Sequence, residues 1–374
     1  MIETNNIKLL FVQRVITSYR LDLLKLLCVD FKEVGIITSK GDEIGTLKLA
    51  KTTDTLTNYS NLKIHKINSL RIGYKGESRA TNFFLYPRAV SIIKKYDVII
   101  FEGTTNLINN TYLIPYAKLL GKKTIWWDAG YSLPTRTFKR KLIDFVVKPF
   151  VKLTDAQMAY SSLAKNYLAK YMGANKVFLN LNTINTNYFE GITDEINTNN
   201  TNYKFDTNNV KLLYVGVVEQ RKKVKELIDV VIALNKTNTN KKFSLTVIGG
   251  GNQLEELKTH TKTEKNIAVL GAIYDKDKLK NYYFESDLFV LPGDGGLAIL
   301  QSLLFGLPVL SVIGADGTEL DYITNSNFLM NNISELSKKL SNLEFEERQA
   351  YNITYKKLSS NSWVAVLNNK IKSL

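Results

Sequence analysis

The sequence predicts an α/β protein of two domains, each built on a parallel, doubly wound sheet. Three observations carry this. Short apolar strand runs alternate with helical patterns along the chain, several of those runs are apolar on both faces, as buried parallel strands are, and a polar stretch breaks the alternation near the middle. At 374 residues the chain is long enough for two such domains, each with its own core.

Before the break, strands are predicted near Ile7–Val12, Val34–Thr38, Lys63–Ile67, Asp97–Phe101, Lys122–Trp127, Gln157–Tyr160 and Lys176–Leu179, with helices between most of them. From Asn180 to Asn209 the chain is dominated by Asn and Thr. These side chains compete for backbone hydrogen bonds and disfavour regular structure, so this stretch reads as a connector. After it, the pattern resumes with strands Lys211–Val215, Phe243–Ile248, Ile267–Leu270, Leu288–Leu291 and Val309–Val312, and helices from Gln253, Lys276 and Gly296. The expected organisation is a first domain at 1–185, a connector at 186–209, a second domain at 210–355, and a terminal helix at 356–374 that is a candidate for packing back on the first domain.

The formal charge is +15, and its distribution is uneven. Residues 1–185 hold 28 Lys and Arg against 13 Asp and Glu, whereas residues 186–374 hold 22 against 22. One half therefore faces something anionic: a membrane surface, a phosphorylated acceptor or nucleic acid. A single cysteine, Cys28, excludes a disulfide framework and a cysteine-based metal site, and a reducing compartment is expected. Met1 leads through polar residues into the first strand, so no cleavable signal is expected. No apolar run reaches the ~20 residues of a membrane span, and the sequons at Asn58 and Asn109 read as chance.

The most informative stretch is Asp287 to Val309, DLFVLPGDGGLAILQSLLFGLPV. A buried strand runs through Pro292 into a loop with adjacent glycines, Gly295 and Gly296, and then into an apolar helix closed by Gly306 and Pro308. Such glycines let a ligand approach backbone N–H groups that hold anions such as phosphates. A nucleotide site is the expectation.

The second half resembles the donor domain of family 4 glycosyltransferases through LLYVGVVEQRKKVKELIDVV (212–231), FSLTVIGGGNQLEELK (243–258), IAVLGAIYDKDKLKNYYFESDLFVLPGDGG (267–296) and LAILQSLLFGLPVL (297–310). The first half is similar more loosely, through LLFVQRVITSYRLDLLKLL (9–27), DVIIFEG (97–103), KKTIWWDAGY (122–131) and AYSSLAKNYLAKYMGANKVFLNLNTINT (159–186). The resemblance implies two Rossmann-like domains facing across a cleft, the GT-B fold, and a retaining, nucleotide-sugar-dependent transferase without a metal. It implies a UDP-sugar somewhat ahead of a GDP-sugar, and no cofactor.

By the same resemblance, Gly216 passes the donor phosphates and Lys222 stabilises charge on the departing diphosphate. Ile273 and Tyr274 fall in the loop that meets the nucleobase, and Gly295, Gly296 and Leu297 present amides to the sugar and diphosphate. The chain departs from the family at three of these positions: Val217 stands where the family has Arg, and Gly293 and Gln301 stand where it has two glutamates. Gln301 keeps a donor and an acceptor for ribose hydroxyls. Asp294 and Arg221 are the neighbouring candidates for the missing carboxylate and guanidinium.

In the first domain, Asp128 ends the strand KKTIWW, where an α/β sheet places functional groups, and similar transferases carry His or Asp near this point. A carboxylate there would orient or deprotonate an acceptor hydroxyl. The plainer reading is a cap of a turn before Gly130. Arg14, Tyr19 and Arg20 follow the first strand and are candidates for an acceptor phosphate, against a solvated loop and first helical turn. Arg136–Leu153 interleaves Arg136, Lys139, Arg140, Lys141, Lys148 and Lys152 with Phe138, Leu142, Phe145, Val146 and Phe150. A basic amphipathic segment of this kind lies in a headgroup layer, the alternative being a surface helix packed on its sheet and interrupted by Pro149.

Other signals reduce to structure. Asp275-Lys-Asp277 opens a helix and reads as a cap, and Gly249–Gly251 reads as a strand-to-helix turn, a phosphate contact there being the lesser alternative. GKKT at 121–124 lacks a P-loop's upstream glycine. His65 and His260 are isolated from any zinc-binding set, and no serine occupies a G-x-S-x-G elbow. The reading that results is a cytoplasmic glycosyltransferase, peripheral on the inner face of the cell membrane, acting on a lipid-linked saccharide in capsule or O-antigen assembly. Two rivals remain: a silent sugar-binding or scaffold subunit, and a nucleic-acid-modifying transferase, against which no DNA-reading motif is present.

Overall fold

The structure, a computed structural model, describes residues 3–14, 16, 20–39, 43–44, 47–48, 59–68, 70–72, 83–86, 88–103, 108–128, 138–184, 193–237, 241–293, 295–313, 319–323, 325–346 and 360–374. The chain divides into two compact units, Met1–Tyr188 with Ser359–Leu374, and Phe189–Leu358.

The first unit carries seven strands in one sheet: β1 (Lys8–Val12), β2 (Glu33–Ser39), β3 (Leu62–Ile67), β4 (Val98–Glu102), β5 (Lys123–Asp128), β6 (Ala156–Ala159) and β7 (Val177–Leu179). They lie in the order β7-β6-β5-β4-β1-β2-β3, every pair parallel. Alternate residues serve opposite cores. Leu9, Phe11, Val34, Ile36, Ile100, Ile125 and Trp127 pack on one face; Leu10, Val12, Ile37, Ile99, Phe101 and Trp126 pack on the other. Side chains in a strand alternate in direction with period two, so runs apolar at every position require helices on both faces.

Helix α1 (Leu21–Asp30) covers the first face with Leu23, Leu24, Leu27 and Cys28. The other face is covered by α2 (Ala89–Ile93), α3 (Asn110–Leu119) and α4 (Phe138–Lys152). Burial among these residues pushes the Cys28 thiol up to about 11, consistent with an inert core thiol. Helix α4 runs through Pro149 instead of being interrupted by it. A proline removes one donor and crowds the carbonyl four residues back; here that carbonyl belongs to Phe145, which is 77% exposed, so water can serve it. Helix α5 (Ser162–Met172) begins at Ser161, whose hydroxyl accepts from the Ala164 N–H.

The second unit opens with α6 (Thr193–Asn202), within the stretch expected to lack regular structure. On it, Glu195 accepts from the Lys280 ammonium at 2.9 Å. Six strands follow: β8 (Asn209–Val215), β9 (Lys242–Ile248), β10 (Ile267–Gly271), β11 (Leu288–Leu291), β12 (Val309–Val312) and β13 (Leu329–Met330). Their order is β10-β9-β8-β11-β12-β13, again all parallel. The helices are α7 (Val224–Thr237), α8 (Leu254–His260), α9 (Lys276–Glu285), α10 (Ala298–Leu304) and α11 (Leu336–Ser341). Asp275 caps α9 by accepting from the Asp277 and Lys278 N–H groups, the structural role expected of that Asp-Lys-Asp. Gly306 takes a φ of 68° after α10, a left-handed conformation that ends helices and favours glycine.

The last helix, α12 (Ser360–Lys372), belongs to the first unit. Trp363, Val364, Leu367 and Ile371 enter the core face shared with α1. The Trp363 ring lies 5.3 Å from that of Trp127, and the Trp363 carbonyl accepts from the Asn180 side chain at 3.2 Å. Among the described residues no helix is long and apolar enough to cross a membrane.

Candidate functional site

In both sheets the strand order reverses beside the first strand, between β1 and β4 and between β8 and β11. At such a switch point the loops leaving the strands diverge to opposite faces and open a crevice at the strand ends. Of the sequence-predicted residues, Arg14 lies at the first of these places and Gly216, Lys222, Gly295, Gly296 and Leu297 at the second.

In the second unit, β8 ends at Val215 and continues through Gly216 into a tight turn, Gln220–Lys222. Lys223 then takes a left-handed φ of 53° before α7. A non-glycine residue rarely adopts this conformation, and it is the sole such case among the described residues. Strand β11 runs through Pro292 and Gly293 to Gly295, Gly296 and Leu297, the last at the start of α10. The two loops are joined directly: the Lys222 ammonium donates to the Gly295 carbonyl at 2.8 Å. Lys222 and Gly295 are thus brought together, with Gly216 at the end of the neighbouring strand β8, while Asp294 lies outside the described residues.

A second set of glycines closes the other side of the Gly216 loop. The Gly216 and Val218 N–H groups donate to the Ile248 and Gly250 carbonyls, both at 2.9 Å, and Gly249 N–H donates to Gly271 at 2.8 Å. A Cβ on Gly249 would overlap the Gly216 carbonyl oxygen, and one on Gly251 would overlap that of Val218. The triple glycine is therefore a close-packing seam between the ends of β8, β9 and β10. Tyr214 adds to it, donating its hydroxyl to the Val217 carbonyl at 2.8 Å; burial raises that phenol above its ordinary value.

The remaining donor-side residues stand further out. Arg221 donates to Glu219 at 2.8 Å with 43% of its side chain exposed. Ile273 is half-buried and Tyr274 exposed in the loop after β10. Gln301, on α10, accepts the Tyr283 hydroxyl at its Oε1 at 3.2 Å, and the Tyr283 ring stacks on Phe305 at 4.9 Å. Tyr283 thereby fixes which way the Gln301 amide faces, a part that sequence reasoning missed.

In the first unit, the switch point holds Arg14 after β1 and Glu102 at the end of β4. The Arg14 backbone N–H and Nε donate to Glu102 at 2.7 and 2.9 Å, and its Nη2 donates to the same carboxylate. The side chains are only 19% and 16% exposed. Burial works against both charges, but the mutual attraction and hydrogen bonds outweigh it, lifting the Arg14 guanidinium and holding the Glu102 carboxyl below the usual carboxylate range. Arg20 lies over the Trp127 ring at 4.1 Å and donates to the Tyr160 hydroxyl at 3.1 Å. Neither arginine sits in a solvated loop. Glu102 was legible only as a carboxylate ending an otherwise apolar strand.

Asp128 ends β5 and accepts from the Trp126 indole at 3.1 Å; the bare backbone of Gly103 packs on its Cα and Cβ. Tyr19 and Arg136 fall outside the described residues. Lys139, Arg140 and Lys141 lie on α4, but their side chains also fall outside what is described. His65 bonds the Tyr96 hydroxyl and His260 bonds Asp229. Among the described residues no three His, Cys, Asp or Glu side chains gather as a metal site requires.

Residues 195–359 match the family of Glycosyl transferases group 1. No curated protein matches the chain in sequence. Among solved structures, Anabaena HepE in complex with UDP is similar with a TM-score of 0.67 at 13% identity, over 98% of this chain and 100% of that one. The lipopolysaccharide outer core galactosyltransferase WaaB gives 0.65 at 15% identity, over 98% and 99%. The UDP-GlcNAc 2-epimerase of Methanocaldococcus jannaschii gives 0.52 at 14% identity, over 97% and 99%. These likenesses establish the fold, and the epimerase among them shows why a fold alone leaves the reaction open. The family match lies across the second unit, where the Lys222 and Gly295 loops meet: residues 195–359 match the Glycosyl transferases group 1 family, in a chain whose fold is that of the GT-B glycosyltransferases.

Proposed function

We propose that the chain transfers a sugar from a UDP-sugar to a lipid-linked saccharide with the anomeric configuration retained, at the cytoplasmic face of a bacterial membrane, in surface polysaccharide assembly. The observation that carries the donor half is the junction of the Gly216–Lys223 and Pro292–Leu297 loops, closed by Lys222 on the Gly295 carbonyl, at the switch point of a group 1 domain. HepE solved with UDP and with UDP-glucose supports a uridine nucleotide. In this reading Lys222 and the amides at Gly295–Leu297 stabilise the diphosphate, Gln301 meets the ribose, and Ile273 and Tyr274 border the base. The acceptor hydroxyl oxygen bonds the anomeric carbon on the face the diphosphate leaves, and its proton passes to the departing diphosphate oxygen. Asp128 contacts the acceptor and Arg20 supplies a cation for a phosphorylated one, the charge of Arg14 being neutralised by Glu102.

Lys222→Ala is expected to lower turnover on the order of 100-fold while the far-UV circular dichroism stays that of the parent. Turnover within two-fold of the parent would remove Lys222 from the mechanism. A thermal-shift screen against UDP, GDP, TDP, CMP and their sugars identifies the donor, because a ligand that binds the native state raises its stability by mass action.

The membrane half rests on the charge excess of residues 1–185 and on α4, where Phe145 and Val146 face solvent while Val147 and Val151 are buried. Replacing Lys139, Arg140 and Lys141 by Gln is expected to weaken co-sedimentation with anionic vesicles several-fold, most at low salt, with activity on a soluble acceptor analogue preserved. Stronger binding to duplex DNA than to vesicles across the same salt series would overturn the membrane assignment.

A further inference from the structure

We infer that Gly293 is a positioning residue for the donor diphosphate: its bare backbone is the seat on which the Gln220–Lys222 turn rests, and that seat aims the Lys222 ammonium. The inference builds on the donor site proposed above. A Cβ built on Gly293 would lie 2.6 Å from the Lys222 carbonyl carbon and 2.7 Å from its oxygen, and closer still to the Arg221 carbonyl oxygen. These are backbone atoms of the turn, so no side chain can swing aside to make room. Any residue but glycine at 293 must push the turn away from β11.

The turn has little freedom to absorb that push. The Lys222 and Lys223 N–H groups close it on Glu219 and Gln220 at 2.8 and 3.1 Å. Its far end is the left-handed Lys223, a conformation that persists only where its surroundings enforce it. Its near end is pinned, because Val218 is hydrogen-bonded to Gly250 and held against Gly251. Displacement is therefore delivered to Lys222, whose 2.8 Å bond to Gly295 spans from the turn to the opposite loop. The position where the family carries a glutamate is in this chain filled by the turn itself. Gly293→Glu, which restores the family's residue, is expected to weaken donor binding and not to improve it.

The test is isothermal titration with UDP and with uridine, and in parallel with GDP and guanosine, on the parent, Gly293→Ala, Lys222→Met and the double variant. Gly293→Ala is expected to lower diphosphate affinity on the order of ten-fold, the scale of one charge-assisted contact, with nucleoside affinity unchanged. In the Lys222→Met background the same substitution is expected to change diphosphate affinity less than two-fold, since positions that act through one contact are not additive. An equal loss for diphosphate and nucleoside, or an undiminished loss without Lys222, overturns the inference while leaving the donor site standing. A parent that binds none of the four overturns the donor-site reading itself.

Hydrogen exchange on the ligand-free parent decides the matter even if Gly293→Ala fails to fold. The seat requires the Lys222 and Lys223 amides to be protected before any nucleotide is present, and exchange at the unstructured rate would show that the turn is not seated.

Discussion

Arg14 and Glu102 hold each other at the ends of β1 and β4 with most of both side chains out of water, so removing one strands the other. Arg14→Ala is expected to cost about 3 kcal/mol at neutral pH, the usual penalty for leaving one member of a buried pair, measured by urea unfolding. Glu102 has a folded-state value below its unfolded one. Its stabilising contribution is therefore present above the unfolded value of about 4.3 and is lost as pH falls through the folded value. The cost of Arg14→Ala should shrink between pH 7 and pH 3, and a cost independent of pH would show that the pair contributes through packing alone. The pair also marks a limit of reading residues from sequence. Gly295 stood out in the strand–loop–helix pattern, and Gly216 and Lys222 only through the family resemblance, whereas Glu102 lies 88 residues from Arg14 and Tyr283 lies 18 from Gln301. A partner chosen by tertiary structure leaves no local spacing to find.

Strands were the most legible elements, because a run apolar at every position admits few fates other than a covered parallel sheet; β11 and β12 were placed at their observed ends. Elements that depend on distant ties were not legible. Helix α6 has a poor helical composition and touches Lys280 across 85 residues, and β13, two residues long, exists through its pairing with β12. Helix α12 shows how much one such element contributes. Trp363 is 2% exposed among Trp127, α1 and the sheet, so Trp363→Ala is expected to cost about 3–5 kcal/mol. A urea midpoint within error of the parent's would mean that α12 is dispensable to that core.

At the scale of the whole molecule, the charge excess lies in residues 1–185 and the family match in 195–359. If the proposed function holds, lesions in the two units should separate: those in α4 in surface binding, those around Lys222 in donor binding. The closing step of the fold is less evenly shared. Because Ser359–Leu374 completes the first unit, the second unit is an insertion within the first. On the ribosome the first unit's sheet can form early, but the apolar face that awaits Trp363, Leu367 and Ile371 stays uncovered until that helix emerges. The second unit, contiguous in sequence, has no such wait. Synthesis order therefore makes the first unit, although begun first, finish after the second.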